Sequence, residues 1–375
     1  MVSERYQTAN RSVHFRVGLA AELEMQGDPM KKRVFVVQPI PEVALDILRD
    51  VADVTVYPHL DRQISTDELV ANAKRSDWLF VLGDTIVPAE VINANPELNG
   101  IGALSRTGGN IDMAAATARK LPVVAEHPAD RYGEGVSPAV RGGVSLATAD
   151  LTVGMIIALA YRLVDADRYT RAGHFKQEQT LALMGVGCPE KTVGLIGLGA
   201  VAQYMVPRLR ALEMKIIYTK RNRLPLAQED ELGVEWTPHL DDVLRRSDFV
   251  CVACDYNPST HQLIGMREFA LMRPTAYFIN TARGRIVDEP EMIRVLQNGT
   301  IAGAALDVYW NEPPETHDPH VPDALCKMDN VILAPHNGGA TWTVRGTRMA
   351  SVARNMIRVM NDERPPGLLN PEIYE

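Results

Sequence analysis

Short runs of apolar residues alternate with amphipathic segments along nearly the whole chain. In the first third, five apolar runs predict β-strands, at 33–37, 53–57, 78–83, 101–105 and 122–125. The segments between them have helical periodicity, as in 41–50, where Val43, Ala44, Ile47 and Leu48 share one face. This order of strands and helices predicts an α/β unit with a parallel sheet.

A second α/β unit begins at Thr192. Its predicted strands are TVGLIG, KIIYT, DFVCVAC, AYFINT, AGAALDV and VILA, which lie between residues 192 and 334. One long helix, predicted over 146–171, joins the two units, and another over 341–360 closes the chain. The segment 126–145 is rich in Gly and Pro and predicts a loop. The predicted fold class is therefore α/β, with two doubly wound parallel sheets and a cleft between them.

The composition is that of a folded protein with about two domains. The chain has 375 residues, of which 46% are hydrophobic and 23% are charged, and this balance argues against intrinsic disorder. The formal net charge of −8 has the opposite sign to that of a general binder of nucleic acid or anionic membranes. The longest apolar stretch, Leu151–Val164, contains Thr152 and Arg162 and is too short to span a bilayer. We therefore expect neither nucleic acid nor a membrane as a partner.

The cysteines and the N-terminal segment predict a cytoplasmic protein without a metal site. Four cysteines in a chain of this length do not form a disulfide framework. Cys251 and Cys254 have C-x-x-C spacing, but they lie in a predicted buried strand and no second Cys/His pair follows. Residues 1–29, which precede Met30, carry charges throughout and are predicted to be an N-terminal extension rather than a secretory signal.

A glycine-rich turn follows the first strand of the second unit and opens a predicted helix. Gly197, Gly199 and Ala202 form the pattern G-x-G-x-x-A, with Ala200 and Val201 at the start of the helix. In the Rossmann fingerprint the first glycine allows the tight turn, the second lets the backbone approach a pyrophosphate, and the small third residue allows close packing. The helix N-terminus favours an anion at this place. The sequence therefore predicts a dinucleotide site.

The next predicted strand ends in residues that bear on the choice of dinucleotide. A site for NAD usually has Asp or Glu about 20 residues after the glycines, bonded to the ribose 2′-hydroxyl. Here Thr219 stands at that place, followed by Lys220, Arg221 and Arg223. A hydroxyl and three cations would attract a 2′-phosphate. We therefore predict that NADP(H) is preferred and that NAD(H) is possible.

Three further segments each place polar groups directly after an apolar strand: INTARGRIVDE at 279–289, AALDVYWNEPP at 304–314 and APHNGG at 334–339. The carboxyl ends of parallel strands are where such sheets bind ligands. With the fingerprint before them, these segments make residues 30–370 resemble the D-isomer-specific 2-hydroxyacid dehydrogenase family. The resemblance implies a Rossmann cofactor domain at 147–337. It also implies a flavodoxin-like substrate domain at 30–146, completed by 341–375.

The resemblance also implies a set of catalytic roles. Arg283 would bind the substrate carboxylate and the C2 oxygen, for which a planar, permanently charged guanidinium is suited. His336 would give a proton to the C2 oxygen, or take it in the reverse direction, because imidazole exchanges protons near neutral pH. Glu312 would hydrogen-bond His336 and orient it. Asp307 would bind the nicotinamide carboxamide, with help from the backbone of Ala282.

In the first unit, the segment SRTGGNID at 105–112 resembles the substrate loop of the family. Backbone N–H groups around Gly108 and Gly109, next to Thr107, would cradle the substrate carboxylate, as glycine-rich turns do for anions. Arg106 would add a positive charge. The chain departs from the family at Asp255–Asn257, where the family usually has Pro-Leu-Thr, and in the long 126–145 loop, which is either a cap on the site or a plain surface insertion.

The function predicted from these residues is NAD(P)-dependent reduction of a 2-oxoacid, such as glyoxylate, hydroxypyruvate or a larger homologue. The resemblance to the family also implies a homodimer. Two alternatives remain. One is a formate- or phosphite-type dehydrogenase, although Glu312 stands where the formate type has Gln. The other is a dinucleotide-sensing protein similar to the C-terminal-binding-protein corepressors, which share the catalytic residues. The acidic net charge argues against the sensor.

Overall fold

Two parallel β-sheets organise the chain, one formed by its first third and the other by its second half. In the computed structural model, the residues described are 31–105, 107–128, 142–178, 181–312 and 319–375. The predicted fold class is confirmed, because each sheet is parallel throughout and has helices between its strands.

The first sheet has the strand order β2-β1-β3-β4-β5. Its strands are β1 (Lys32–Val36), β2 (Ala52–Val56), β3 (Trp78–Leu82), β4 (Gly100–Leu104) and β5 (Val123–Ala125). The helices between them are α1 (Glu42–Arg49), α2 (Thr66–Ala73), α3 (Ala89–Asn93) and α4 (Met113–Ala118). Every strand begins and ends within one residue of its predicted bounds. The central strand β3 is buried at all its positions, as expected for a parallel strand covered on both faces.

The second sheet has the order β12-β11-β10-β9-β6-β7-β8. Its strands are β6 (Thr192–Ile196), β7 (Lys215–Thr219), β8 (Glu235–Trp236), β9 (Phe249–Val252), β10 (Tyr277–Asn280), β11 (Gly303–Leu306) and β12 (Val331–Leu333). The two-residue strand β8 was not predicted, because so short a segment has no readable period. Strand β6 lies between β9 and β7, so the strand order reverses there, and ligands bind at such switch points.

The helix predicted over 146–171 is in fact two helices, α5 (Gly143–Ala160) and α6 (Leu163–Arg171). The break falls at Arg162, whose φ of 50° and ψ of 40° are left-handed and end a right-handed helix. The Arg162 guanidinium holds this conformation through Asp165 at 3.0 Å and the carbonyl of Ala182 at 2.7 Å. The prediction was wrong because residues 160–163 contain neither Gly nor Pro, so nothing in the sequence marks the break.

Helix α5 is long and apolar enough to cross a membrane by length and composition alone, but half of it is buried inside the protein. It packs against the second sheet and against helix α7 (Ala200–Ala211), as a core helix does. The remaining helices of the second unit are α8 (Leu226–Leu232), α9 (Leu240–Arg246), α10 (Met266–Leu271), α11 (Glu289–Gln297) and α12 (Asp323–Cys326).

The last helix, α13 (Trp342–Met360), leaves the second unit and returns to the first. Its buried side chains Met349, Val352, Ala353 and Met356 join the core of the first sheet. A Cβ at Gly102 of β4 would lie 2.3 Å from the sulfur of Met356, so glycine is needed for this close approach. The two chain crossings, through α5 and α13, therefore connect the units.

Candidate active site

The predicted functional residues of the second unit gather at the carboxyl ends of its strands. Gly197 follows β6, Thr219 ends β7, Arg283 follows β10, Asp307 follows β11 and His336 follows β12. Because these strands are neighbours in one parallel sheet, the residues share one edge.

The turn after β6 has the shape that a dinucleotide requires. Gly197 has a φ of 101°, and a Cβ there would lie 2.6 Å from the carbonyl oxygen of Ala253. By contrast, a Cβ at Gly199 would meet nothing nearer than 4.0 Å, so the space above this glycine is open. Ala202 is fully buried, where only a small side chain lets the helix approach the sheet. The residues therefore fit a pyrophosphate that approaches Gly199.

Helix α7 directs its N-terminus at this open space. Gly199 is its N-cap, without a side chain to cap it, and Ala200 and Val201 are its first residues. The first amide groups of a helix have no partner within the helix, and together with the helix dipole they favour an anion. The turn and the helix thus meet the two geometric conditions for binding a dinucleotide phosphate.

The three cations of the basic loop after β7 have different surroundings. Within the described part of the chain, Lys220 and Arg221 make no ion pair, and Arg221 is exposed. Arg223, in contrast, donates from Nε and Nη2 to the two carboxylate oxygens of Glu229, at 2.9 and 2.7 Å. Its guanidinium also lies over the ring of Trp236, 4.7 Å from the centroid. Arg223 is therefore engaged with the protein itself in this structure.

Glu229 was not singled out from the sequence, although it organises this loop. Its side chain is only 5% exposed, and it accepts from the hydroxyl of Tyr218 as well as from Arg223. These hydrogen bonds, first that of Arg223 and then that of Tyr218, lower the pKa of Glu229 despite its burial. Burial and this carboxylate raise the pKa of Tyr218 to about 12. Nothing in the sequence marked Glu229, because an acidic side chain is usually exposed.

His336 and Glu312 form the hydrogen-bonded pair that the family resemblance implied. The Nδ1 atom of His336 lies 2.7 Å from Oε2 of Glu312. The other carboxylate oxygen of Glu312 accepts from the backbone N–H of Tyr309, which fixes its direction. The side chain of Glu312 is 15% exposed and that of His336 52%, so the second imidazole nitrogen can reach a ligand. His336 has a φ of 55°, an uncommon conformation for a residue other than glycine.

Asp307 supports the turn that carries His336. It is 1% exposed, and its two carboxylate oxygens accept from the backbone N–H groups of Asn337 and Gly338, at 2.6 and 2.9 Å. Its carbonyl accepts from the N–H of His336 at 3.0 Å. Burial raises the pKa of Asp307, and the two amide hydrogen bonds oppose that shift. The carboxylate implied for the nicotinamide carboxamide thus has a second task, which is to hold the left-handed turn at His336.

Arg283 lies at the start of a braced loop. Its side chain is exposed, and Nη1 donates to the carbonyl of Ala282 at 2.6 Å. The Ala282 N–H donates to the side chain of Asn280 at 3.1 Å, so both backbone groups of Ala282 have partners within the loop. A Cβ at Gly284 would lie 2.0 Å from the carbonyl oxygen of Tyr309. The Arg283 loop is therefore packed against the turn that precedes Glu312.

The predicted substrate loop follows β4 in the first unit. Gly108 has a φ of 68°, and its N–H donates to the Ser105 hydroxyl at 3.1 Å. Thr107 and Gly109 are exposed. Arg106 lies outside the described residues, as does 129–141, which is most of the long loop.

The cysteines of the C-x-x-C spacing and the indole of Trp310 have structural roles. The thiol of Cys251 is fully buried, and burial raises its pKa; burial also raises the pKa of Cys254 to about 11. Neither thiol is therefore a reactive thiolate. Trp310 donates from Nε1 to the carbonyl of Val287 at 2.7 Å, and so packs beside the Arg283 loop.

A dinucleotide turn at the switch point of one sheet, with a cation and a His–Glu pair at the same edge, defines a nicotinamide-dependent oxidoreductase. A sequence model described as D-isomer specific 2-hydroxyacid dehydrogenase, NAD binding domain, matches residues 153–338. A glyoxylate reductase from Thermococcus gammatolerans is 36% identical over 350 residues, which cover 92% of this chain and 98% of that protein. The chain therefore belongs to the D-isomer specific 2-hydroxyacid dehydrogenase family and is an NAD(P)-dependent oxidoreductase that acts on 2-hydroxyacids or 2-oxoacids.

Solved structures agree with this assignment. A protein from Thermus thermophilus has a TM-score of 0.72 and 28% identity, covering 90% of this chain and 99% of that one. An NADPH-dependent glyoxylate/hydroxypyruvate reductase from Sinorhizobium meliloti, in complex with NADP and malonate, has a TM-score of 0.63 and 25% identity, with coverages of 91% and 98%. These findings confirm the family predicted from the motifs and do not favour the formate-type or sensor alternatives.

Proposed function

We propose that this enzyme reduces a small 2-oxoacid, glyoxylate or hydroxypyruvate first among them, to the 2-hydroxyacid, with NADPH as the preferred reductant. The observation that carries the proposal is the 2.7 Å contact between His336 and Glu312, at the sheet edge that also holds Arg283. The glyoxylate reductase name of a relative with 36% identity supports the substrate class.

Each residue of the site has a distinct task in this reaction. When bound, the dinucleotide supplies a hydride at its nicotinamide ring. Arg283 binds the substrate carboxylate and the C2 oxygen through its fork of N–H donors and orients the carbonyl. His336 gives a proton from its outward ring nitrogen to the C2 oxygen as negative charge develops there. Glu312 holds the imidazole by its other nitrogen and stabilises the cationic form that must donate.

The preference for NADPH is proposed to come from Lys220, Arg221 and the hydroxyl of Thr219. Lys220 and Arg221 make no ion pair within the described residues, and no carboxylate stands at the end of β7 to repel a 2′-phosphate. Arg223 pairs with Glu229 and neutralises the charge of this carboxylate. The loop thus has a net positive charge toward the ribose.

We further propose that the enzyme is a cytoplasmic homodimer. All four cysteines are free, which is typical of a reducing compartment. Helix α6 has no buried residue, and the segment around it exposes large apolar side chains, namely Tyr161, Leu163, Phe175, Leu181, Met184 and Val186. A second copy of the chain is the simplest cover for such a patch, because most soluble oligomers are symmetric homo-oligomers. Sedimentation of wild type and Leu181→Glu would test this, with dimer expected only for wild type.

The activity is tested by following the oxidation of NADPH or NADH with a panel of 2-oxoacids, from glyoxylate to phenylpyruvate. We expect turnover with NADPH that is abolished in His336→Ala and Arg283→Ala. His59→Ala and Arg49→Ala are matched controls, because both side chains are exposed on the first unit, and they should retain full activity. Cofactor binding without turnover of any oxoacid would overturn the proposal.

A further inference from the structure

Two buried hydroxyls interrupt the otherwise apolar face of the linking helix α5. Thr152 is 1% exposed and Thr148 is 8% exposed, and their neighbours Ala149 and Ile156 are fully buried. A buried hydroxyl is costly unless it has hydrogen-bond partners. The partners of Thr152 lie partly outside its own helix, which gives the residue a role beyond the helix.

The hydroxyl of Thr152 is the middle member of a series of two hydrogen bonds that run in one direction. Its oxygen lies 2.7 Å from the carbonyl of Thr148, which can only accept, so the single hydroxyl proton of Thr152 goes there. The hydroxyl of Thr281 lies 2.8 Å from the same oxygen. Thr281 must therefore donate to Thr152. The hydrogen bonds therefore run from the Thr281 hydroxyl to the Thr152 hydroxyl and from there to the Thr148 carbonyl.

Thr281 stands two residues before Arg283, directly after strand β10. On its other side, the loop is braced by Asn280, which accepts from the N–H of Ala282 and donates to the carbonyl of Arg283 at 3.0 Å. The Thr281 side chain thus connects the Arg283 loop to helix α5 through a hydrogen bond. Removing its acceptor would leave a buried donor without a partner.

The same face of the helix also meets the His336 turn. A Cβ at Gly338 would lie 2.7 Å from the Thr148 hydroxyl oxygen. Gly338 is held by Asp307 two residues after His336. One turn of α5 therefore touches both loops that carry the proposed acid and the proposed substrate cation.

We propose that Thr152 is a positioning residue that sets the Arg283 loop on the helix linking the two units. The inference rests on the role proposed above for Arg283. Valine has nearly the shape of threonine but offers no acceptor, so Thr152→Val strands the Thr281 hydroxyl and lets the Arg283 loop shift. Thr152→Ser keeps the hydroxyl and the chain of hydrogen bonds.

The test measures kcat and KM for glyoxylate, the dissociation constant of NADPH and the melting temperature of four variants. Thr152→Val should lower kcat/KM about tenfold or more, because a small misplacement of a substrate-positioning group slows the reaction strongly. The NADPH dissociation constant should stay within about threefold, since the fingerprint turn is untouched. Thr152→Ser should restore activity. Thr170→Val, which removes an exposed hydroxyl bonded within α6, is the matched control and should behave as wild type.

The double variant Thr152→Val/Thr281→Val separates positioning from stability. It removes donor and acceptor together, so no polar group is stranded and the melting temperature should return toward that of wild type. Its kcat/KM should stay low, because the loop has lost its anchor. If wild type turns over but Thr152→Val keeps kcat/KM within about twofold, the inference is wrong. The inference is also wrong if the double variant recovers both the melting temperature and the kcat/KM of wild type. Absence of turnover in wild type would instead contradict the proposed function.

Discussion

The imidazole of His336 is held by Glu312, whose Oε2 lies 2.7 Å from Nδ1, although 24 positions separate the two residues. Their contact exists because β11 and β12 are adjacent strands, so the segments that follow them meet at one edge. The turn at His336 is held by Asp307 and the direction of Glu312 by the N–H of Tyr309. Hydrogen bonds within the protein therefore fix both members of the pair.

The first prediction concerns this pair. Glu312→Gln keeps a hydrogen-bonding group of nearly the same shape but removes the negative charge that stabilises the imidazolium. We expect kcat for oxoacid reduction to fall about tenfold to hundredfold, with KM changed little, as for a general acid that loses its support. Steady-state kinetics with saturating NADPH would check this. Glu231→Gln, an exposed substitution on α8, is the control. If Glu312→Gln has the kcat of wild type, the negative charge of Glu312 does not support proton transfer by His336.

A second prediction separates the cations of the β7 loop. Lys220→Ala and Arg221→Ala should each raise KM for NADPH about tenfold and leave KM for NADH nearly unchanged, because each removes a charge-assisted contact to the 2′-phosphate. The charge-balanced double variant Arg223→Gln/Glu229→Gln should keep the ratio of the two KM values within about threefold. A larger loss of NADPH preference in the double variant than in Arg221→Ala would show that Arg223 binds the phosphate.

The third prediction uses the open space above Gly199. Its backbone conformation suits alanine, and a Cβ there meets no protein atom nearer than 4.0 Å, so Gly199→Ala should fold with the stability of wild type. It should weaken NADPH binding at least about tenfold, because the methyl group occupies the approach of the pyrophosphate. Fluorescence titration and thermal melting would measure the two effects. Gly154→Ala, on α5 with nothing within 4 Å, is the control. Unchanged NADPH affinity in Gly199→Ala would contradict the site.

The fourth prediction concerns stability and pH. The hydrogen bond from Arg223, and then that from Tyr218, lower the pKa of Glu229 in the folded protein. In the unfolded chain, the Glu229 carboxyl titrates near its ordinary value of about 4.3. The ionised carboxylate therefore stabilises the fold above about pH 4.3, and this contribution is lost as the pH falls toward the folded-state pKa.

Glu229→Gln should accordingly be less stable than wild type at neutral pH, and the difference should shrink below about pH 4. Urea denaturation at a series of pH values would measure it. Glu231→Gln lies on the same helix, is exposed, and should show no such difference. A difference in stability that stays constant down to low pH would mean that the Glu229 charge does not stabilise the fold.

The amino-acid sequence by itself determined every strand except β8, the order of the units and the family. The five strands of the first sheet were located to within a residue, because burial of a parallel strand leaves an apolar run in the chain. The glycine turn and the motifs around Arg283, Asp307, Glu312 and His336 were equally readable. Their chemistry depends on residue type and on position after a strand, and both are local properties.

Only the tertiary structure decided how the side chains pair. In the sequence, the three basic residues that follow β7 are equivalent. In the folded protein, packing brings Glu229 to Arg223 and leaves Lys220 and Arg221 without ion pairs among the described residues. The break at Arg162 and the bond from Thr281 to Thr152 likewise join residues that no local pattern connects. A side chain takes whichever partner the folded neighbours present, and that choice is made across the core, where positions distant in the chain become adjacent.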